Sequence, residues 1–273
     1  MRAVADSVVR PRAGVVGSVG GVMHTVGDVV DRGLGFMSVL GGLLLWEAAG
    51  WLFDLAWLPP FSDVIRALVD LIVSGQILGN LANSLKGLAI GFGIALVVGL
   101  GVGALMGRYR RVDQALSAYV YSLFVAPTMI FIPIFFALFG LTDGTRIAVI
   151  VVYAVFVIII NTAAAIRDVD GSLIEMARSF GAKERELFFG ILVPGSLPLM
   201  FAGLQLGMGR AVKGMINGEM FIALVGLGAL SRRFGGRFEA DASFAIALVV
   251  LIVALVLNRL IRFLDNRFTH WTD

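Results

Sequence analysis

Long apolar runs alternate with short polar stretches along the whole chain. The apolar runs approach or exceed the roughly 20 helical residues that are needed to cross a lipid bilayer. The predicted spans cover residues 34–58, 85–106, 116–139, 146–166, 197–225 and 242–261. We therefore predict an all-α, polytopic membrane protein with about six transmembrane helices.

Prolines and glycines mark the breaks and the contact faces of these spans. Leu58-Pro59-Pro60 is predicted to stop the first span, because proline lacks the amide proton and clashes with the preceding turn. Residues 61–73 then show apolar positions at a helical period, which is typical of an amphipathic helix at the membrane surface. In the second span small residues recur every four positions between Gly91 and Gly107, which predicts a flat face for close helix packing.

One polar stretch, residues 167–198, differs from the other connections. It contains a charged, helix-forming run that Gly181 interrupts and that Pro194 and Pro198 close. Polar helix faces cannot be satisfied inside lipid. This stretch is therefore predicted to lie outside the bilayer, against a partner.

The composition supports the prediction of a membrane protein and argues against disulfides, metal sites and nucleic-acid binding. The 273 residues are 59% hydrophobic and 15% charged, and a soluble domain needs more charged surface than this. There is no cysteine, which excludes disulfides and thiolate ligands. His24 and His270 lie near opposite ends of the chain, so no metal site is predicted. The arginines flank the spans, so nucleic-acid binding is not predicted either.

Basic residues concentrate on one side of the predicted spans. That side holds both termini and the basic residues of 108–111 and 167–185, and the excess marks it as cytoplasmic. We predict a cytoplasmic tail over 1–33, a transmembrane domain over 34–262 and a second cytoplasmic tail over 263–273. Three arginines on the opposite side run against this bias, namely Arg232, Arg233 and Arg237.

The stretch 167–198 also carries a spaced motif. The fixed positions are Glu175-Met176-Ala177, Gly181, Ile191 and Val193-Pro194. This spacing resembles the EAA loop of ATP-binding-cassette (ABC) importer permeases, with Met176 in place of alanine and Val193 in place of leucine.

From about residue 46 to residue 271 the chain resembles the nitrate, sulfonate and taurine branch of these permeases. The residues that carry this resemblance are Leu58-Pro59-Pro60, Asn83-Ser84-Leu85, Pro127, Pro133, Gly140, Gly218-Glu219-Met220 and Gly226-Leu227-Gly228. The resemblance implies a type I importer permease fold with a cytoplasmic coupling helix within 167–198.

The resemblance also implies partners and roles. The chain is expected to be a multi-pass permease of a bacterial plasma (inner) membrane, working as a homodimer with two ATPase subunits and an extracytoplasmic binding protein. Glu175, Ala177 and Gly181 are expected to shape the coupling helix, and the charged residues near it to pair with the ATPase, namely Arg178, Lys183, Glu184 and Arg185. The sequence has no G-x-x-x-x-G-K-[ST] loop. The chain itself is therefore expected to bind no cofactor and to be no enzyme, with ATP and magnesium held by the ATPase.

Polar side chains within the spans suggest a translocation pathway. Arg210 and Lys213 are three residues apart and share a helix face, which Asn217 continues. Two cations inside a span would suit a small anion such as nitrate, a sulfonate or a carboxylate. Alternatively, Glu219 or Glu47 neutralises them and the cluster is structural.

Two other classes of protein are weighed against the importer. An ion-coupled secondary transporter would use intramembrane carboxylates such as Glu47 and Glu219, together with inverted repeats, and the sequence shows no internal repeat. A membrane-embedded enzyme would need a constellation of histidine, cysteine or paired carboxylates, which the sequence lacks.

Overall fold

The computed structural model of the chain describes residues 16–53, 55–222 and 224–269. Within these ranges the regular structure is helical and no strand is present, so the predicted all-α class is confirmed. The helices are α1 (Val16–Phe53), α2 (Phe61–Val73), α3 (Gln76–Arg108), α4 (Arg110–Val125), α5 (Phe131–Phe139), α6 (Asp143–Arg167), α7 (Gly171–Ser179), α8 (Glu184–Leu187), α9 (Val193–Ile222), α10 (Leu227–Gly236) and α11 (Ala240–Phe268).

The chain divides into two units, Met1–Ser62 and Asp63–Asp273. In the first unit α1 begins at Val16, within the predicted tail over 1–33, and residues 1–15 lie outside the described ranges. The helix ends at Phe53, earlier than predicted, because the following turn folds back onto it. The indole of Trp46 donates to the carbonyl of Pro59 at 3.1 Å, and a Cβ on Gly50 would lie 2.6 Å from Pro60.

Among the described residues of the second unit, four long apolar helices have the length and composition of membrane spans. These are α3, α6, the continuous helix Glu184–Ile222 and α11. Helix α4 and the segment Thr128–Phe139 meet at a bend of 90°, and together they form a fifth span if they are counted as one broken span. Pro127 explains the bend, because the residue before a proline is disfavoured in a helix. The apolar part of α1, Met37–Phe53, is shorter, and the predicted number of about six requires it to cross as well.

Helix α6 lies at the centre of the second unit, between the glycine faces of α3 and α9. A Cβ on Gly91 or Gly99 of α3 would lie within 2.7 Å of isoleucine side chains of α6. From α9, a Cβ on Gly207 would lie 2.8 Å from Ile158. The flat face predicted for the second span is therefore confirmed, and its role is to let the backbones of α3 and α6 approach closely.

A π turn at Phe188–Leu192 joins α8 to α9, so that the helix runs through both prolines that were predicted to close the polar stretch. Pro194 has no amide proton to donate to the carbonyl four residues earlier, which favours a local departure from α-helical hydrogen bonding. The polar stretch therefore continues directly into a membrane span.

Candidate functional site

The polar stretch 167–198, called the coupling segment below, contains a short helix with a defined start. Helix α7 begins after Asp170, whose Oδ1 accepts a hydrogen bond from the amide of Ser172 at 2.8 Å. This is an N-cap, and it satisfies one of the amide groups that a helix start leaves without a partner. The same hydrogen bond from the Ser172 amide lowers the pKa of Asp170 below its ordinary value.

The end of α7 explains two positions of the spaced motif. Gly181 has a φ angle of +82°, and its amide donates to the carbonyl of Arg178 at 2.9 Å. The amide of Ala182 donates to the carbonyl of Ala177 at 3.0 Å. This pair of bonds is a Schellman motif, which places its left-handed residue where glycine is preferred. Gly181 thus ends the helix, and the backbone of Ala177 accepts one of the closing bonds.

After α7, the chain is tied back to the end of α3. The amide of Lys183 donates to the carboxylate of Glu186 at 2.7 Å and starts α8. Arg108, the last residue of α3, donates to Glu184. Arg178 of α7 lies 3.5 Å from the same carboxylate. Glu184 therefore joins the end of a membrane span to the short helix of the coupling segment.

The outer surface of the coupling segment is exposed. None of the residues of α7 is buried, and the side chains of Met176 and Phe180 are 53% and 86% exposed. Glu175, Arg178, Lys183 and Arg185 are exposed as well, whereas Ala177 is half-buried. The segment thus presents a fixed, mixed polar and apolar face that the second unit itself does not cover.

A second feature is a groove along α9 that contains two of the predicted cations. Arg210 and Lys213 are exposed and line a cavity of about 640 Å³ together with Ala202, Gln205, Leu206, Gly209 and Asn258. Arg210 also lies 5.5 Å from the centre of the Phe124 ring. In the part of the chain that the structure describes, no carboxylate forms an ion pair with either cation.

The other predicted pathway residues do not line this groove. Asn217 donates to the hydroxyl of Tyr153 at 2.9 Å. Glu47 belongs to the first unit, where it accepts hydrogen bonds from the amide and hydroxyl of Ser62 at 2.9 Å and 2.8 Å. The carboxylate of Glu47 thereby satisfies an amide in the first turn of α2.

Glu219 of α9 is buried, with 1% of its surface exposed, and its carboxylate faces the start of α10. Its Oε2 accepts hydrogen bonds from the hydroxyl of Ser84 at 2.8 Å and the amide of Gly228 at 3.0 Å. Arg146 of α6 lies 3.5 Å from Oε1 and also pairs with Asp143 at 2.9 Å. A buried carboxylate needs this combination of a charge partner and hydrogen bonds.

The same network holds the start of α10 through consecutive amides. The amide of Gly226 donates to Asn80 Oδ1 at 2.9 Å, and the amide of Leu227 donates to Ser84 Oγ at 2.9 Å. The amide of Gly228 completes the series on Glu219. Ser84, Glu219 and the Gly-Leu-Gly motif are points of resemblance in the sequence, whereas the roles of Asn80 and Arg146 come from the structure alone.

The coupling segment and the Glu219 network lie at opposite ends of α3. Asn80 and Ser84 are near its start, whereas Arg108 at its end contacts the coupling segment. A helix of 33 residues is about 50 Å long. The structure therefore separates the two features by the length of a membrane span.

Comparison with known proteins agrees with this arrangement. Residues 95–270 match the family model described as "Binding-protein-dependent transport system inner membrane component". The chain is 25% identical over 249 residues to the taurine transport system permease protein TauC of Escherichia coli (strain K12), covering 89% of this chain and 90% of that protein. It is 30% identical over 184 residues to the nitrate import permease protein NrtB of Synechocystis sp. (strain PCC 6803), covering 67% and 66%.

A third relative is named for a different kind of solute. The formylaminopyrimidine transport permease protein ThiX of Halalkalibacterium halodurans is 29% identical over 234 residues, covering 84% of this chain and 92% of that protein. Among solved structures, a chain of the inward-facing MetNI methionine ABC transporter superposes with a TM-score of 0.55 at 21% identity, covering 70% of this chain and 93% of that one. At this level of identity the superposition establishes a shared fold.

Proposed function

This chain belongs to the family of binding-protein-dependent transport system inner membrane components and is a multi-pass permease subunit of an ABC importer, and we propose that it works as a homodimer with two separate ATPase subunits. In this proposal the ATPases hold ATP and magnesium, and an extracytoplasmic binding protein delivers the solute. The membrane is the plasma (inner) membrane of a bacterium, with both termini of the chain in the cytoplasm.

The observation that carries the proposal is the coupling segment. It has a capped start, a Schellman end and an exposed outer face, and Glu184 ties it to the last residue of α3. A short helix that is fixed to a membrane span and exposed to a partner is suited to transmit a displacement from an ATPase to the span. In this proposal the ATPase contacts the exposed residues Glu175, Arg178, Lys183 and Arg185.

Alternating access follows from this arrangement. ATP binding closes the two ATPases, the coupling segments move towards each other, and the spans reopen towards the extracytoplasmic side. Because the Arg108–Glu184 contact lies directly at the end of α3, this helix and its close partner α6 are expected to move together with the coupling segment.

The absence of cysteine makes the topology directly testable. We expect a thiol introduced by Phe180→Cys to react with a membrane-impermeant maleimide in inside-out vesicles and to be protected when the ATPase is bound. The protein should also co-purify with a Walker-motif ATPase encoded beside its gene. A thiol that reacts only from the outside, or a protein that transports with a proton gradient and no ATPase, would contradict the proposal.

For the solute, we propose a small anion that contacts Arg210 and Lys213. These are the two cations of the groove along α9, and no carboxylate of the described residues neutralises them. Relatives named for taurine and nitrate fit this class, whereas the relative named for a formylaminopyrimidine marks the alternative of an uncharged solute. Glu219 is assigned a structural role, because its hydrogen bonds are made within the protein.

The solute class is tested by titrating the binding protein with nitrate, taurine, an alkyl sulfonate and a small carboxylate. The solute that binds is then offered to the reconstituted importer. A binding protein that selects an uncharged heterocycle would overturn the anion proposal and leave the importer proposal standing.

A further inference from the structure

The turn between α10 and α11 holds an aromatic residue in a backbone conformation that normally belongs to glycine. Phe238 has a φ angle of +60° and is the one non-glycine residue with a positive φ in the ranges that the structure describes. Its amide donates to the carbonyl of Gly235 at 3.2 Å, and the amide of Glu239 donates to that of Phe234 at 3.0 Å. This is the same helix-ending motif that places Gly181 after α7. A side chain with a Cβ atom is unfavourable in this conformation.

In the part of the chain that the structure describes, the side chain of Phe238 is not packed against the protein. Its ring is 91% exposed, more than any other large apolar side chain of the described residues. Glycine would end α10 without strain, as Gly181 ends α7. An outlying backbone conformation at an almost fully exposed aromatic residue points to a functional contact with another molecule.

Two exposed arginines lie close to Phe238 in the sequence, and the guanidinium of Arg233 lies 5.7 Å from the centre of the Phe234 ring. Arg233 and Arg237 are one helical turn apart, and both are exposed. Arg232 is used differently, because it donates to the carbonyls of Met220 and Phe221 at the end of α9. These arginines are the basic residues that run against the positive-inside bias of the chain. Topology therefore gives no reason for their position.

Hydrogen bonds fix the start of α10. The turn that follows α10 lies at the end of the spans that is extracytoplasmic in the proposed topology. The start of α10 is bound through Asn80, Ser84 and Glu219, at the opposite end of α3 from the coupling segment. Along α10, Leu227, Leu230 and Phe234 are buried. The exposed ring and arginines are therefore presented on a fixed support, which reduces the entropy lost on binding.

We propose that Arg233, Arg237 and Phe238, called the docking tip, bind an acidic surface with an apolar pocket on the extracytoplasmic binding protein. The proposal rests on the importer function proposed above and adds the surface that the binding protein contacts. A rigid aromatic side chain flanked by arginines has the composition of an interface hot spot. The acidic partner surface follows from the charge of the two arginines.

A lipid headgroup is a less suitable occupant of the docking tip. The carboxylate of Glu239 lies 3.8 Å from Arg237 at the same turn. That carboxylate would repel an anionic headgroup, whereas a protein surface can offer a partner for each charge.

The test uses the complex of this permease with its ATPase, reconstituted in nanodiscs, and the binding protein encoded beside its gene. Phe238→Gly is expected to weaken the affinity of the binding protein about tenfold. The melting temperature of this variant should be equal to or higher than that of the wild type, since glycine suits the backbone. Arg233→Glu together with Arg237→Glu is expected to weaken binding at least as much and to slow association at low salt.

Leu141→Ala is the matched control. Leu141 is an exposed apolar residue, 51% exposed, that lines a cavity with Arg146 and Glu219 and so belongs to the same end of the spans. Its removal should leave the affinity of the binding protein unchanged.

The outcomes separate this inference from the function on which it rests. Weakened binding in the docking-tip variants with intact melting temperature supports the inference. Equal affinity in wild type and variants, or an effect that depends only on anionic lipid in the nanodisc, overturns it and leaves the importer function standing. A wild-type permease that binds neither the binding protein nor an ATPase overturns both.

Discussion

Gly226 lies directly against the carboxylate of Glu219, and a Cβ atom on Gly226 would lie 2.3 Å from the carboxyl carbon. Its φ angle of +98° is in the left-handed region. Gly228 is equally restricted, because a Cβ there would lie 2.5 Å from the carbonyl oxygen of Ile216. Both glycines of the Gly-Leu-Gly motif are therefore needed to bring the start of α10 onto the buried carboxylate.

Gly226→Ala is expected to lower the free energy of unfolding by about 1–3 kcal/mol, because the added methyl group overlaps Glu219 and the backbone is strained. The loss is measured by thermal unfolding in detergent. Gly236→Ala, where a Cβ meets nothing within 4 Å, is the control within the same helix and should change stability little. Equal stability of the Gly226→Ala variant and the wild type would contradict the close approach.

Glu219→Ala is expected to destabilise the protein by about 3–5 kcal/mol, since it leaves the buried guanidinium of Arg146 with only Asp143. Removing the positive charge as well, in Glu219→Ala with Arg146→Met, should cost less than the sum of the two single changes Glu219→Ala and Arg146→Met. The measurement is a double-mutant cycle of melting temperatures. Strictly additive losses would show that Glu219 and Arg146 do not interact.

Gly181→Asp is expected to abolish transport and the stimulation of ATPase activity while leaving membrane insertion intact. The residue must adopt the left-handed conformation, which costs about 1–2 kcal/mol for a side chain with a Cβ, and it adds a charge next to the ATPase contact. ATPase activity is measured with and without the loaded binding protein. Gly171→Ala, in open space at the start of α7, serves as control, and normal coupling in Gly181→Asp would argue against the docking role.

The contact between Arg108 and Glu184 predicts a rescue by charge exchange. Arg108→Glu alone should uncouple ATP hydrolysis from transport, and combining it with Glu184→Arg should restore part of the coupling. Because Glu184 is 60% exposed, the ion pair itself is expected to contribute little to stability. The ratio of solute moved to ATP hydrolysed is the measurement, and an exchange variant as poor as the single variant would exclude a direct contact.

Lys213→Ala is expected to reduce uptake of an anionic solute at least tenfold, because the groove loses a positive charge. The affinity of the binding protein for the solute should be unchanged. Lys86→Ala, an exposed lysine near the start of α3, is the control and should transport as the wild type does. Uptake by reconstituted proteoliposomes is measured. Unchanged uptake in Lys213→Ala would assign that lysine a structural role.

The coupling helix illustrates a feature that short-range pattern can predict. Gly181, the charged residues around it and the apolar runs on either side are local features, and the forces that shape a helix end act within a few residues. The sequence was therefore sufficient to locate the segment, the all-α class and the family. It predicted the end of the first helix less well, because the turn at Pro59 folds back through a contact with Trp46, thirteen residues away.

The sequence by itself determined that this chain crosses a membrane as helices and carries a coupling segment, since hydropathy, helix period and motif spacing are properties of neighbouring residues. Only the tertiary structure decided that Glu219 is buried and hydrogen-bonded within the protein and does not line the groove. It also decided that Arg210 and Lys213 line the same open groove. Arg146 and Glu219 are 73 residues apart, and Ser84 and Glu219 are 135 apart. Contacts over such distances depend on how α3, α6 and α9 pack, which no local pattern specifies.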